Sequence, residues 1–184
     1  YLLAHFEHSP LFYEVELALI KTLIYQENYV DAETKFKAIE EDEFFDEQHR
    51  GKHDVLRALY YINTQDNVQA IEYLVKALPE VKKSRLRLRL KYILAQLYSA
   101  ENQLKKASLL FEELAKKAVF YEMEFNAKLS LAKTHQGKDS DKIVSILNKM
   151  LKDNKNNDFQ DQIYFTLAQV HEKNGDQELA VENY

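Results

Sequence analysis

The chain has 184 residues, 46% hydrophobic and 30% charged, and 25 basic against 30 acidic side chains leave a formal charge of −5. That length and mixture describe a globular chain able to bury a core; they exclude a disordered segment and the strong positive field of a general polyanion binder. The lack of cysteine excludes disulfides, thiolate metal sites and a cysteine nucleophile, and no run of about 18 apolar residues is present to span a membrane as a helix.

Only 3 Gly and 2 Pro occur, which favours helices joined by short turns over a many-stranded fold. One pattern recurs along the chain. "LAQLYSAENQLKKA" (94–107) returns as "LAQVHEKNGDQELA" (167–180), and the small residue early in its second half aligns five times, at Ala32, Ala70, Ala107, Ile143 and Ala180. The separations are 38, 37, 36 and 37, a near-constant period of the kind that stacked supersecondary units produce. The predicted units are 11–45, 46–81, 82–118, 119–155 and 156–184, a single repeat array whose last member stops inside a helix. The expected native chain extends beyond it, because the sequence opens on Tyr1 with neither an initiator Met nor the basic-then-apolar pattern of a signal peptide, so that a targeting signal could stand upstream.

In chain order, the first unit predicts a helix, the turn "QENY" (26–29) and a second helix bearing Ala32. The acidic run "EEDEFFDE" (40–47) follows, expected as a solvated loop pinned by Phe44 and Phe45, since it lacks the oxygen spacing and central Gly of a calcium loop. The second unit turns at "QDNV" (65–68) and ends at "LPEV" (78–81), where Pro79 disfavours helical geometry at the residue before it. The basic run "KKSRLRLRLK" (82–91) alternates like a strand, but Leu86, Leu90, Leu94 and Leu97 continue a helical stripe, so the third unit begins with a helix. Glu101 and Asn102 break that helix, and Leu104, Ala107, Leu110, Phe111 and Leu114 resume the period. The fourth and fifth units turn at "QGKDSD" (136–141) and "NGDQ" (174–177). All these turns carry residues that cap helices or tolerate left-handed geometry. The fold class expected is all-α: antiparallel helix pairs stacked into a right-handed superhelical α-solenoid, with Ala95 and Ala168 of first helices facing Ala107 and Ala180 of second helices.

These residues resemble the tetratricopeptide repeat family. "YFTLAQVHEKNGDQELAVENY" fits that pattern through Tyr164, Leu167, Ala168, Gly175, Ala180 and Tyr184, and "QDNVQAIEYLVKAL" through Ala70, Leu74 and Ala77. The period exceeds the family's, which is about 34 residues, and Ile143 stands where Ala is usual. Two further phrases, "RLKYILAQLY" (89–98) and "YEMEFNAKLSLAK" (121–133), resemble the tetratricopeptide lipoproteins of Bacteroidetes gliding motility and type IX secretion, the SprE/PorW group. That resemblance implies a lipoprotein on the periplasmic side of the outer membrane, anchored through a cysteine outside this sequence. A cytoplasmic adaptor is the alternative.

No Gly-rich phosphate loop, GxSxG elbow or Ser/His/Asp set occurs, so no catalytic, cofactor or metal residues are assigned. His49 and His53 share a helical face at ligand spacing, but the expectation is a solvated helix start; His135 and His171 fill the aromatic slot of Tyr98. The expected partner is a protein or peptide, not nucleic acid. It would lie on a concave wall of first helices formed by Lys21, Asn63, Tyr92, Gln96, Ser99, Lys133, Gln136, Phe165, Gln169 and Glu172, together with Leu17, Ile24, Val55, Leu59 and Leu129. The Lys/Asn/Arg clamp by which co-chaperone members of the resembled family hold a C-terminal carboxylate is not matched at Val55, Leu59, Tyr92 and Gln96.

Overall fold

The computed structural model describes residues 9, 11–135 and 139–184, and all regular structure among them is helical. Ten α-helices follow in order: α1 Phe12–Tyr25, α2 Tyr29–Glu40, α3 Glu47–Asn63, α4 Asn67–Ala77, α5 Ser84–Ala100, α6 Leu104–Lys117, α7 Tyr121–Thr134, α8 Ser140–Leu151, α9 Gln160–Asn174 and α10 Gln177–Asn183. A 3₁₀ turn, Asn154–Phe159, precedes α9. None of these helices is long and apolar enough to cross a membrane. The helices form two compact units divided within α5, one through Leu90 and the other from Lys91.

Short turns make the helix pairs. Four of them use the same device: a residue just past the first helix takes a left-handed backbone, at Glu27 (φ 58°), Gln65 (φ 63°), Asn102 (φ 54°) and Gly175 (φ 85°). The chain is then caught by the start of the second helix. Asn28 accepts a hydrogen bond from the Asp31 amide at 3.4 Å, and Asp66 from that of Gln69 at 3.1 Å, each occupying a donor that the first helical turn leaves open. The turn at "QGKDSD" lies largely outside the described residues.

In the first unit α1 packs on α2, α3 on α4, and α3 also on α1. Its core joins Leu17, Ile20, Ile24, Ala32, Phe36, Ile39 and Leu56. In the second unit α6 packs on α7, α9 on α7, α8 and α10, and the 3₁₀ turn on α8 and α9. Asn156 of that turn is buried, donating to the Met150 carbonyl at 2.6 Å and accepting from the Tyr121 hydroxyl, also at 2.6 Å. The small residues of the repeat sit in these cores: Ala32, Ala70, Ala95, Ala107 and Ala168 are wholly inaccessible to water, and Ala180 and Ile143 nearly so.

Two expectations are corrected here. His49 and His53 are buried, not solvated. The His49 ring lies 2.6 Å from Asp46, the N-cap of α3, and His53 sits between Asp54 (3.0 Å) and Glu40 (3.1 Å). Among the described residues no three His, Cys, Asp or Glu side chains converge as a metal site. Of the loop phenylalanines only Phe45 is pinned, edge-on to Tyr13 at 5.2 Å, while Phe44 is 84% exposed. Tyr13 also holds the loop by donating to Asp42 at 2.7 Å; desolvation, then that hydrogen bond, pushes its hydroxyl pKa up to about 12. The basic run is helical from Ser84, with Leu90, Leu94 and Leu97 buried and Leu86 exposed.

Arg57 is buried where α3 crosses α2. It lies 4.1 Å above the Phe36 ring and donates to Glu33 and, at 2.7 and 2.8 Å, to both oxygens of Glu40. Burial pushes the Glu40 carboxyl up, but the Arg57 hydrogen bonds and charge, aided by His53, more than offset it and hold the group below its ordinary 4.5. The folded state therefore prefers the carboxylate. Its contribution is complete above about pH 4.5 and is lost as pH falls through the lower folded value.

Three outcomes follow for urea unfolding. Ala107→Glu should lose at least about 3 kcal/mol, because the site has no room and no partner for a charge. Gly175→Ala should lose about 1 kcal/mol from backbone strain alone, since an added Cβ would meet nothing within 4 Å. Arg57→Met should lose about 2–3 kcal/mol, less than a fully buried pair because both glutamates keep part of their surface in water. That variant should also show a shallower loss of stability than the parent below pH 4.5.

Candidate partner-binding surface

The second unit holds most of the residues expected on a binding wall. From α5 come Tyr92, half-buried with its ring edge-on to Phe111 at 5.8 Å, exposed Gln96 and half-buried Ser99. From α7 comes Lys133, whose side chain is exposed and whose carbonyl accepts from Lys173 at 2.7 Å. From α9 come Phe165, half-buried Gln169 and exposed Glu172, at spacings of four and three residues that put them on one helical face.

A cleft of about 950 Å³ opens over this region, lined by Lys133, Asp161, Gln162, Tyr164, Phe165, Glu182, Asn183 and Tyr184. Its aromatic rim is accessible: Tyr164 is 44%, Phe165 50% and Tyr184 64% exposed. Tyr184 lies across the α9 face, edge-on to Phe165 at 5.7 Å and donating to Glu172 at 3.1 Å. Partial desolvation and then that carboxylate raise the Tyr184 hydroxyl pKa above its ordinary value. Lys133, Phe165 and Glu172 are thus gathered in one place, with Tyr184, which the sequence places only in the repeat pattern, bridging the last two.

The edges of this unit are charged and fixed. Lys91 reaches both oxygens of Glu113 at 2.8 Å, and Lys142 and Lys116 reach Glu112 at 2.8 and 3.1 Å. These hydrogen bonds hold Glu112 and Glu113 below the usual carboxylate range. His171 is buried and His135 half-buried, in keeping with their aromatic slot; burial pushes the His135 ring's pKa down.

In the first unit Lys21 is exposed, its ammonium 5.5 Å from the Tyr25 ring centre. Asn63 is exposed; one N–H of its amide donates to the Leu59 carbonyl at 2.8 Å, which leaves the second N–H and the oxygen for a partner. Gln136 lies outside the described residues. Leu17, Ile24 and Leu129, placed on the wall by the sequence register, are core residues at 0%, 1% and 5% exposure. Burial at this repeat position varies: Leu17 and Leu129 are in the core, their counterparts Val55 and Tyr92 are half-buried, and Phe165 is exposed.

Residues 161–184 match the sequence profile of the tetratricopeptide repeat. In structure, the chain is similar to the nearly identical TPR-like repeats of a Podosopora anserina protein assigned as a kinesin light chain: TM-score 0.68 at 17% identity, covering 92% of this chain and 90% of that one. A single-substitution variant of that protein gives a TM-score of 0.67 with the same identity and coverage. None of the curated proteins matches the sequence. The fold is thus all-α, a TPR-like solenoid of antiparallel helix pairs, and its last pair carries the tetratricopeptide signature.

Proposed function

We propose that the protein is a non-catalytic scaffold that holds a partner protein or peptide along the exposed side chains of its first helices. The observation that carries this reading is the face shared by Phe165, Gln169 and Glu172 beside the cleft that Lys133 also lines. It offers an aromatic anchor, an amide for a peptide backbone, and charges of both signs at the rim, the mixture from which protein interfaces are made. Gln96 presents a second exposed amide on α5. The Lys/Asn/Arg constellation of a carboxylate clamp is not matched, so the partner is read as an internal segment or a folded surface and not a chain terminus.

The finer assignment, to a bacterial envelope secretion and gliding apparatus, is supported by the phrases at 89–98 and 121–133. It carries a simple requirement: the complete gene must encode a signal peptide followed by a lipid-acceptor cysteine.

In-cell photo-crosslinking from Gln96, with captured species identified by mass spectrometry, tests both levels. Envelope secretion components are the expected capture; cytoplasmic proteins would move the scaffold to a cytoplasmic adaptor role. Replacing Gln96 and Gln169 together by Glu should weaken capture about tenfold, ~1.4 kcal/mol, with unfolding stability within about 0.5 kcal/mol of the parent. Unchanged capture would place the partner on another face.

A further inference from the structure

Cations in this chain repeatedly meet glutamates. Lys35, Lys76, Lys91, Lys116 and Lys142 each lie 2.7–3.1 Å from one, and Arg57 grips two. The stretch from Lys82 to Arg89 does not follow: it carries five basic side chains and no acidic one, in a chain whose formal charge is −5. All five are exposed. Arg87 is committed to the backbone, its guanidinium donating to the Val81 carbonyl at 2.8 Å, which ties the α4–α5 connection to the start of α5. The side chains of Lys82, Lys83 and Arg89 meet no carboxylate among the described residues.

The acidic residue nearest in sequence is engaged elsewhere. Glu80 packs against α3 so closely that a Cβ added at Gly51 would sit 2.6 Å from the Glu80 Cβ, and it lines a cleft of about 310 Å³ with Glu47, Arg50, Asp54 and Lys76. Glu47 closes the acidic run 40–47, and Glu41, Glu43 and Glu47 of that run are exposed. The positive stretch thus has a negative border, marked by Glu47 and Glu80. A long polyanion or an anionic bilayer laid over Lys82 and Lys83 would meet that border within a Debye length, about 8 Å at physiological ionic strength, whereas a short acidic segment can stay clear of it. Within the stretch Leu86 is 39% exposed and lies three residues before Arg89, hence beside it on α5, which adds an apolar contact suited to a protein side chain.

We propose that the α4–α5 connection and the first turns of α5 are a second interaction surface, one that takes a short acidic segment of a protein. Carboxylates of the segment pair with Lys82, Lys83 and Arg89, Arg85 adds its charge one helical turn before Arg89, and an apolar side chain of the segment rests on Leu86. The guanidinium of Arg89 offers two parallel donors to one carboxylate. The surface lies wholly in the first unit and uses none of the residues of the proposed scaffold face, so it stands independently of that reading.

Fluorescence anisotropy with a dye-labelled octapeptide, two leucines flanked by six glutamates, tests it. The parent should bind the peptide saturably, and binding should weaken as salt rises. Lys82→Glu with Lys83→Glu should weaken it at least about tenfold and Arg89→Gln about threefold. Lys149→Glu with Lys152→Glu, the same change of charge at two exposed positions of the second unit, should leave it unchanged. Circular dichroism checks that every variant keeps the parent's helical signal. Exchanging both leucines of the peptide for glycine should cost about threefold or more. No binding to the parent overturns the proposal, as does an equal loss in the two charge-reversed variants, which would make the effect one of overall charge. Equal affinity for the glycine peptide, or displacement by a single-stranded octanucleotide at lower concentration than by unlabelled peptide, overturns the assignment to a protein segment.

Discussion

Close approach of neighbouring helices is the constraint on which the structure depends. Two helices can cross with their axes near one another only where the side chains between them are small, and this chain places Ala at those crossings again and again. Ala32, Ala58, Ala70, Ala95, Ala107, Ala127 and Ala168 have no accessible surface at all. Because each helix is held at short range, large residues four positions on, such as Phe36 and Phe111, fill the space beside the crossing instead of propping it open. Where Ile143 takes the small slot it is still buried, so that hairpin accepts a branched side chain at the crossing.

The first unit varies the scheme by putting charge into the stacking layer. Arg57 occupies the slot that Leu94, Leu131 and Leu167 fill elsewhere, and His53 occupies that of Leu90, Ala127 and Ile163. A buried guanidinium is tolerated because two glutamates of α2 and the face of Phe36 supply the interactions it lost on leaving water. Apolar layers fit many neighbours about equally well. A guanidinium fork fits only where both carboxylates are waiting, so this layer fixes which helix sits on α2 and at what height.

Burial decides which parts of the repeat remain for function. In the first unit the stripe of α3 that covers the α1–α2 hairpin is consumed by stacking, and Leu17 and Leu129 are consumed in the cores of their own units. Gln96, Lys133, Gln169 and Glu172 lie on the remaining arc, which retains exposed or half-exposed polar groups and is free to vary without disturbing the array. Phe165 and Tyr184, exposed on the last hairpin, line its cleft.

The sequence by itself determined the helical hairpins, their period and the small residues at their crossings. These are local: a period-3.6 stripe, a capping Asn or Asp and an alanine every 36 to 38 residues can be read without knowing what packs where. Tertiary structure decided the rest, because burial depends on the neighbour and not on the residue. His49 and His53 look solvated in a polar stretch, and it is the approach of Tyr13 to the first, and of Phe45, Phe36 and Glu40 of α2 to the second, that helps enclose them. Phe44 and Phe45 are indistinguishable as text, but the hydrogen bond from Tyr13 to Asp42 sets the loop so that one turns in and the other out. Leu17 and Leu129 are likewise taken off the wall and into the core by the helices packed around them, neighbours that no single helix's sequence pattern contains.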